Sequence, residues 1–118
     1  MPKHEFGILS AIDPARRYET YEPEAYACIS IEDDVIWYFL RTYRDEMQQV
    51  PSYAHSMEHP MAGLNYLGIT LLPLSSLPAL LAVLQKASAT PWGAALAPLI
   101  QKTRQALQEG RAMIHFGI

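Results

Sequence analysis

The chain has 118 residues, 50% of them apolar, with 9 basic against 12 acidic side chains and a formal net charge of −3. That length holds one compact domain, residues 1–118, with enough interior for a core that needs neither disulfides nor a structural metal, so two domains and a disordered chain are both excluded. A net negative chain is also a poor match for nucleic acid or anionic lipid, whose phosphates are bound chiefly through Lys and Arg.

In chain order, Phe6 to Ile12 predicts a first strand, ended by the turn signal Asp13-Pro14. A polar, tyrosine-bearing linker follows. Tyr26 to Ile31 predicts a second strand that runs into Glu32-Asp33-Asp34, acids suited to a helix N-terminus because they face its unpaired N–H groups. Ile36, Phe39, Leu40, Tyr43 and Met47 then make one apolar helical stripe, closed by Pro51. Residues 51 to 65, with Pro51, Pro60 and Gly63 and no sustained period, read as a long loop. Tyr66 to Leu72 is a third strand. A helix capped at Ser75 or Ser76, with Pro78 in its first turn, carries Leu77, Leu80, Leu81 and Leu84. Leu96, Leu99, Ile100, Thr103 and Leu107 form the stripe of a third helix, which Pro98 begins or kinks and Gly110 ends as a C′ residue. Met113 to Phe116 is a last strand.

The order β, β, α, β, α, α, β predicts an α+β domain: a mixed four-stranded sheet with about three helices on one face. Residues 1–60 hold 11 of the 12 acids and 5 of the 9 bases, whereas Pro60 to Gln101 carries a single charge, Lys86. Pro60, Gly63, Gly68, Pro73 and Pro78 interrupt that apolar stretch where a spanning helix needs about 20 unbroken residues, so a buried strand and helix are expected and no membrane span. Charged residues make up 18% of the chain against the usual ~25%, which points to a face turned toward a partner or a second copy. Cys28 is the single cysteine, and the start Met1-Pro2-Lys3-His4-Glu5 lacks an apolar leader, so a cytoplasmic location is expected.

The segments His4-Glu5-Phe6-Gly7-Ile8, Tyr21-Glu22-Pro23-Glu24, Cys28-Ile29-Ser30-Ile31, Tyr53-Ala54-His55, Gly68-Ile69-Thr70-Leu71 and Ile114-His115-Phe116-Gly117-Ile118 resemble a group of small uncharacterised bacterial cytoplasmic proteins. The resemblance spans nearly the whole chain and implies a bacterial, single-domain protein. It brings no activity to any residue.

Function has to be read from sites. His55-Ser56-Met57-Glu58-His59 matches the H-x-x-E-H order of inverted zinc peptidases, in which two histidines one helical turn apart bind zinc and the glutamate activates water. The context opposes it: Pro51 and Pro60 flank the motif, no apolar stripe marks a helix, and Glu109 is the sole acidic third ligand after Pro60. No metal and no cofactor are therefore assigned. Glu32-Asp33-Asp34 serves helix capping better than paired-carboxylate chemistry, Cys28 in mid-strand reads as a small inert hydrophobe, and Ser75-Ser76 lacks a G-x-S-x-G frame. No glycine-rich phosphate loop occurs.

The tyrosines are the unusual feature. All seven lie between positions 18 and 66 among the acids, and Trp37 sits off the helix stripe one turn before Arg41. Tyr, Trp and Arg favour binding hot spots because they combine large apolar area with a polar tip. The expectation is a non-catalytic protein-binding module, inhibitor or immunity-like, with an acidic, tyrosine-bearing surface that includes Tyr21, Trp37, Arg41, Tyr53, His55, Glu58 and His59. Two alternatives stand beside it: a small enzyme or ligand or metal binder with a pocket at the loop 51–65, and a homodimer that hides the charge-poor second half. The expected partner is a protein or a second copy, not nucleic acid and not a membrane.

Overall fold

A computed structural model describes residues 2–118. The described residues form β1 (Lys3–Leu9), β2 (Ile29–Glu32), α1 (Asp33–Thr42), the single turn α2 (Arg44–Met47), β3 (Pro51–Ala54), β4 (Pro60–Ala62), β5 (Ile69–Leu72), α3 (Leu77–Ala87), α4 (Ala97–Glu109) and β6 (Ala112–Phe116). The strands make one six-stranded sheet in the order β2-β1-β6-β5-β3-β4, antiparallel at every pairing.

The α+β class therefore holds, and two details of the expected sheet are corrected: it has six strands rather than four, and it is antiparallel rather than mixed. The expected loop 51–65 contains the hairpin β3–β4, in which each proline opens its strand and so removes no interior ladder donor. Parallel pairing fails for a topological reason. β2 and β3, joined through α1, run in the same direction, but β1, β6 and β5 lie between them. Between β5 and β6 there are two helices, and a second helix returns the chain to the end it left, which makes the next strand antiparallel. The fourth helix comes from the expected helix 33–47, which breaks at Tyr43 (φ −110°, ψ 32°) into α1 and α2 while Ile36, Phe39, Tyr43 and Met47 stay buried along one stripe.

Strand alternation sends Phe6, Ile8, Ile31, Leu72 and Met113 to one face, where Ile36, Phe39, Leu80, Leu84 and Leu99 of the helices cover them. Each fully buried Leu or Phe there contributes about 1.5–3 kcal/mol. Leu9, Ile69, Leu71, Ile114 and Phe116 line the opposite face, away from the four α-helices; Ile12, Tyr18 and Tyr26 of the segment between β1 and β2, the last of them in a 3-10 turn (Pro23–Tyr26), pack on it instead. Most of the large apolar residues of the charge-poor second half are thus buried within one chain, with Leu67, Leu74 and Ile118 left exposed. Among the described residues no helix is long and apolar enough to cross a membrane.

Local signals behave as their chemistry requires. Asp13 Oδ1 accepts the Ala15 N–H (2.9 Å), which makes the Asp13-Pro14 turn, although β1 ends three residues earlier than expected. Pro98 lies in the first turn of α4, and Gly110 ends that helix in the left-handed region (φ 64°).

Candidate functional site

Along the outer side of α1, Asp34, Trp37, Tyr38 and Arg41 are exposed, opposite the buried Ile36 and Phe39. Spacing of i, i+3, i+4 and i+7 places them on one face. Trp37 is 44% exposed and Tyr38 49%, and their rings meet edge to face at 5.4 Å. Arg41 lies over the Trp37 ring, 5.0 Å from its centroid, as a cation–π pair. The segment between α3 and α4 brings up Trp92, which stacks on Tyr38 at 6.4 Å. The result is an ordered aromatic array on the surface with a guanidinium at one end and Asp34 one turn away. Trp37 and Arg41 were legible from their spacing; Tyr38 and Trp92 were not, since they meet only through packing.

The other predicted residues do not join this array. Tyr53 packs on the sheet face opposite the α-helices, the side on which Tyr21 stands over Phe116 at 5.4 Å. Tyr21 donates its hydroxyl to Glu5 Oε1, and that hydrogen bond, with burial and the carboxylate's charge, pushes its pKa up to about 12. The single acidic and aromatic surface expected from the sequence is therefore divided between two faces of the sheet. His55 to His59 form the connection of the β3–β4 hairpin, not a helix. His55 is in the left-handed region (φ 63°). Its Nδ1–H donates to Tyr18 O (2.9 Å), its N–H donates to Ile69 O (3.2 Å), and its carbonyl accepts the Tyr18 N–H (2.7 Å). This histidine stitches the 10–28 segment to the hairpin and to β5. His59 is exposed and pairs with Ser56 Oγ through Nδ1 at 3.1 Å, while Glu58 faces solvent. Among the described residues no three His, Cys, Asp or Glu side chains converge on a metal position. A depression of about 280 Å3 that reaches this hairpin is lined there by Met57, with Ile12, Leu74 and Ala112, and not by His55, Glu58 or His59.

A polar chain crosses the core at the end of the helical layer where α1 begins. Asp33 Oδ1 contacts His4 Nε2 (2.9 Å), His4 Nδ1 contacts His115 Nε2 (2.9 Å), and His115 Nδ1 contacts Thr70 Oγ1 (2.9 Å). Tyr66 donates its hydroxyl to the same Asp33 oxygen, and Asn65 N–H donates to Thr70 Oγ1 (2.7 Å). His4, Thr70 and His115 are fully buried; Asp33 and Tyr66 reach solvent.

The chemistry fixes one proton arrangement. A carboxylate only accepts, so His4 carries its proton on Nε2; neutral His4 then accepts at Nδ1 from His115 Nε2–H, and His115 Nδ1 accepts the Thr70 hydroxyl proton. Every donor points toward Asp33, and among the described residues no buried side-chain polar atom lacks a partner. Burial pushes His4 below its ordinary pKa, against the hydrogen bond and charge of Asp33. His115 lies well below, through burial first and then its neighbour His4. Hydrogen bonds from Tyr66 and then His4 hold Asp33 below the usual carboxylate range, and burial followed by the Asp33 bond pushes Tyr66 up to about 12. This connectivity orients imidazoles as an acyl-transfer relay does, but its hydroxyl sits in the sealed interior, so in this structure it joins β1, β5, β6 and α1.

Sequence reasoning read Asp33 as a helix-terminus acid, and it does lie in the first turn of α1, but its carboxylate is turned to His4. The signal for the histidines was present. His4 and His115 each stand two positions from inward-facing apolar residues, Phe6 and Met113, so strand alternation places both imidazoles inside. Cys28 stands just before β2 rather than in mid-strand, and burial, ahead of the charge of Glu5, pushes its thiol up to about 12, which favours the protonated form.

No protein-family model, curated protein or solved structure matches the chain.

Proposed function

We propose that the chain is a non-catalytic protein-binding module, inhibitor or immunity-like, that recognises its partner through the outer face of α1. The observation that carries this reading is the array of Trp37, Tyr38 and Trp92 with Arg41 over the first ring. Nearly half of the Trp37 and Tyr38 surfaces faces solvent, and the helix beneath them is held by other residues, so the core does not require these rings where they are. Aromatic groups that already support one another lose little freedom on binding, which suits them to act as anchors. Asp34 beside them favours a partner with basic side chains, because opposite charge speeds capture. Tyr21, Tyr53, His55, Glu58 and His59 act in this reading as supports or rim of the opposite face.

The test uses the intact chain and its Trp37→Ala/Tyr38→Ala double variant as paired baits in bacterial cytoplasmic extract at low salt. The wild type retains a protein that the double variant loses while both stay equally folded by circular dichroism. Retention of the same proteins by both baits, or by neither, refutes the reading.

A further inference from the structure

A sheet edge offers a second surface, independent of the α1 face. β2 pairs with residues 3–6 of β1, whereas β6 pairs with residues 5–9, so the last part of β1 has a strand on one side only. The ladder tells which backbone groups face the open side. Asp33 N–H donates to Pro2 O (3.1 Å), and alternation from that pair turns His4, Phe6 and Ile8 toward β2. Gly117 N–H donating to Gly68 O (2.8 Å) gives the same phase from the other side, with Glu5, Gly7 and Leu9 turned toward β6. Both routes leave the N–H and C=O of Ile8 pointing where β2 has stopped.

The chain takes its potential pairing residue away. Ala27, which would stand opposite Ile8, is left-handed (φ 50°, ψ 49°), and its N–H is committed to Glu24 O; the Cys28 N–H is committed to Pro23 O. The β2 pairing stops at Phe6, and among the described residues no turn or loop backbone group bonds to the Ile8 N–H or C=O. A groove of about 340 Å3 lies there, with Ile8 and Leu9 at its base, Tyr26 and Ala27 as one wall and Lys102 and Gln105 of α4 as the other. An unpaired edge of this kind is a template for one more strand.

Charge narrows the occupant. Four charged side chains line the groove: Glu109 pairs with Arg111, Glu24 is exposed on the wall that carries Tyr26, and half-buried Lys102 of α4 has no ion-pair partner among the described residues. A residue paired with Ile8 points its side chain to the same face as Ile8, the face that α4 covers, and so toward Lys102.

We propose that the open edge of β1 at Ile8 is a docking slot for an extended peptide strand of another protein, which continues the line of β2 and sets an acidic side chain against Lys102. The backbone of Ile8 supplies the recognition of extended conformation, and Lys102 supplies the preference for acid.

The experiment pans a random heptapeptide phage library against the intact chain and measures the synthetic winning peptide by fluorescence polarisation and amide exchange. The proposal expects acidic residues enriched at one position, exchange of the Ile8 amide slowed at least about tenfold by the peptide, and affinity lowered about tenfold by Lys102→Glu. Trp37→Ala leaves that affinity unchanged. Failure to select any peptide, winners that leave the Ile8 amide unprotected, or winners indifferent to Lys102→Glu overturn it. Slowing of Ile8 exchange with protein concentration alone also overturns it, because the occupant is then a second copy.

Discussion

The buried histidine pair makes stability fall on mild acidification. In the unfolded chain both imidazoles titrate near about 6.5. In the folded chain both lie below that value, His115 by more than His4. A folded-state pKa below the unfolded one means that the unfolded chain takes up protons first. The contribution is therefore fully present above about pH 6.5 and is lost as pH falls from there toward the depressed folded values. While both folded imidazoles are neutral and both unfolded ones are charged, the unfolded state holds two extra protons, and the slope approaches about 2.7 kcal/mol per pH unit. His4 keeps the attraction of Asp33 and accepts its proton first, after which the slope settles toward about 1.4 kcal/mol per pH unit. Urea unfolding followed by far-ultraviolet circular dichroism from about pH 8 to about pH 5 measures this directly, with His115→Gln as comparison, whose slope stays at or below about 1.4 kcal/mol per pH unit. A wild-type unfolding free energy that stays flat from about pH 7.5 to about pH 5.5, or the same slope in His115→Gln, refutes the reasoning.

Thr70→Val keeps the side-chain shape but strips the Asn65 N–H and His115 Nδ1 of their partner, and should cost about 1–3 kcal/mol in urea unfolding. A Cβ at Gly117 would overlap the carbonyl oxygens of Tyr66 and Gly68, so Gly117→Ala should cost roughly 1–3 kcal/mol and loosen Tyr66, visible as faster exchange of the Ile118 amide that bonds to it. Gly110→Ala places a side chain at φ 64° with open space around it, so backbone strain alone should lower stability by about 1 kcal/mol with no change at the Trp37 face, read by thermal melting and tryptophan fluorescence.

The α1 face was half visible in the sequence. Trp37 and Arg41 follow from helical spacing within one element, but Trp92 lies 54 positions beyond Tyr38 and reaches it only because the α3–α4 connection passes over α1. The histidine motif 55–59 was the reverse case: its spacing suggested zinc on a helix, and the hairpin gave His55 a carbonyl partner instead. Spacing reads as ligand geometry only when the secondary structure beneath it is the right one. The hairpin itself went unread because its strands are short, begin with prolines and join the sheet only through the pairing of β3 with β5.

What the amino-acid order alone determined was local or compositional. The stripes of α1, α3 and α4, the glycine stop at 110, the turn at Asp13 and the interior fate of the charge-poor half all follow from periodicity, caps and hydropathy. The tertiary structure decided which distant residues share a place. Sheet register set His4 beside His115, 111 positions apart, placed Thr70 next to them and closed the chain with Asp33 from the following helix. It also left Ile8, paired with Met113 of β6 on one side, without a strand on the side of β2. Periodicity says which side of an element is apolar, but strand order and register arise from the competition of all the elements for one core, and the polar chain and the open edge exist only at that level.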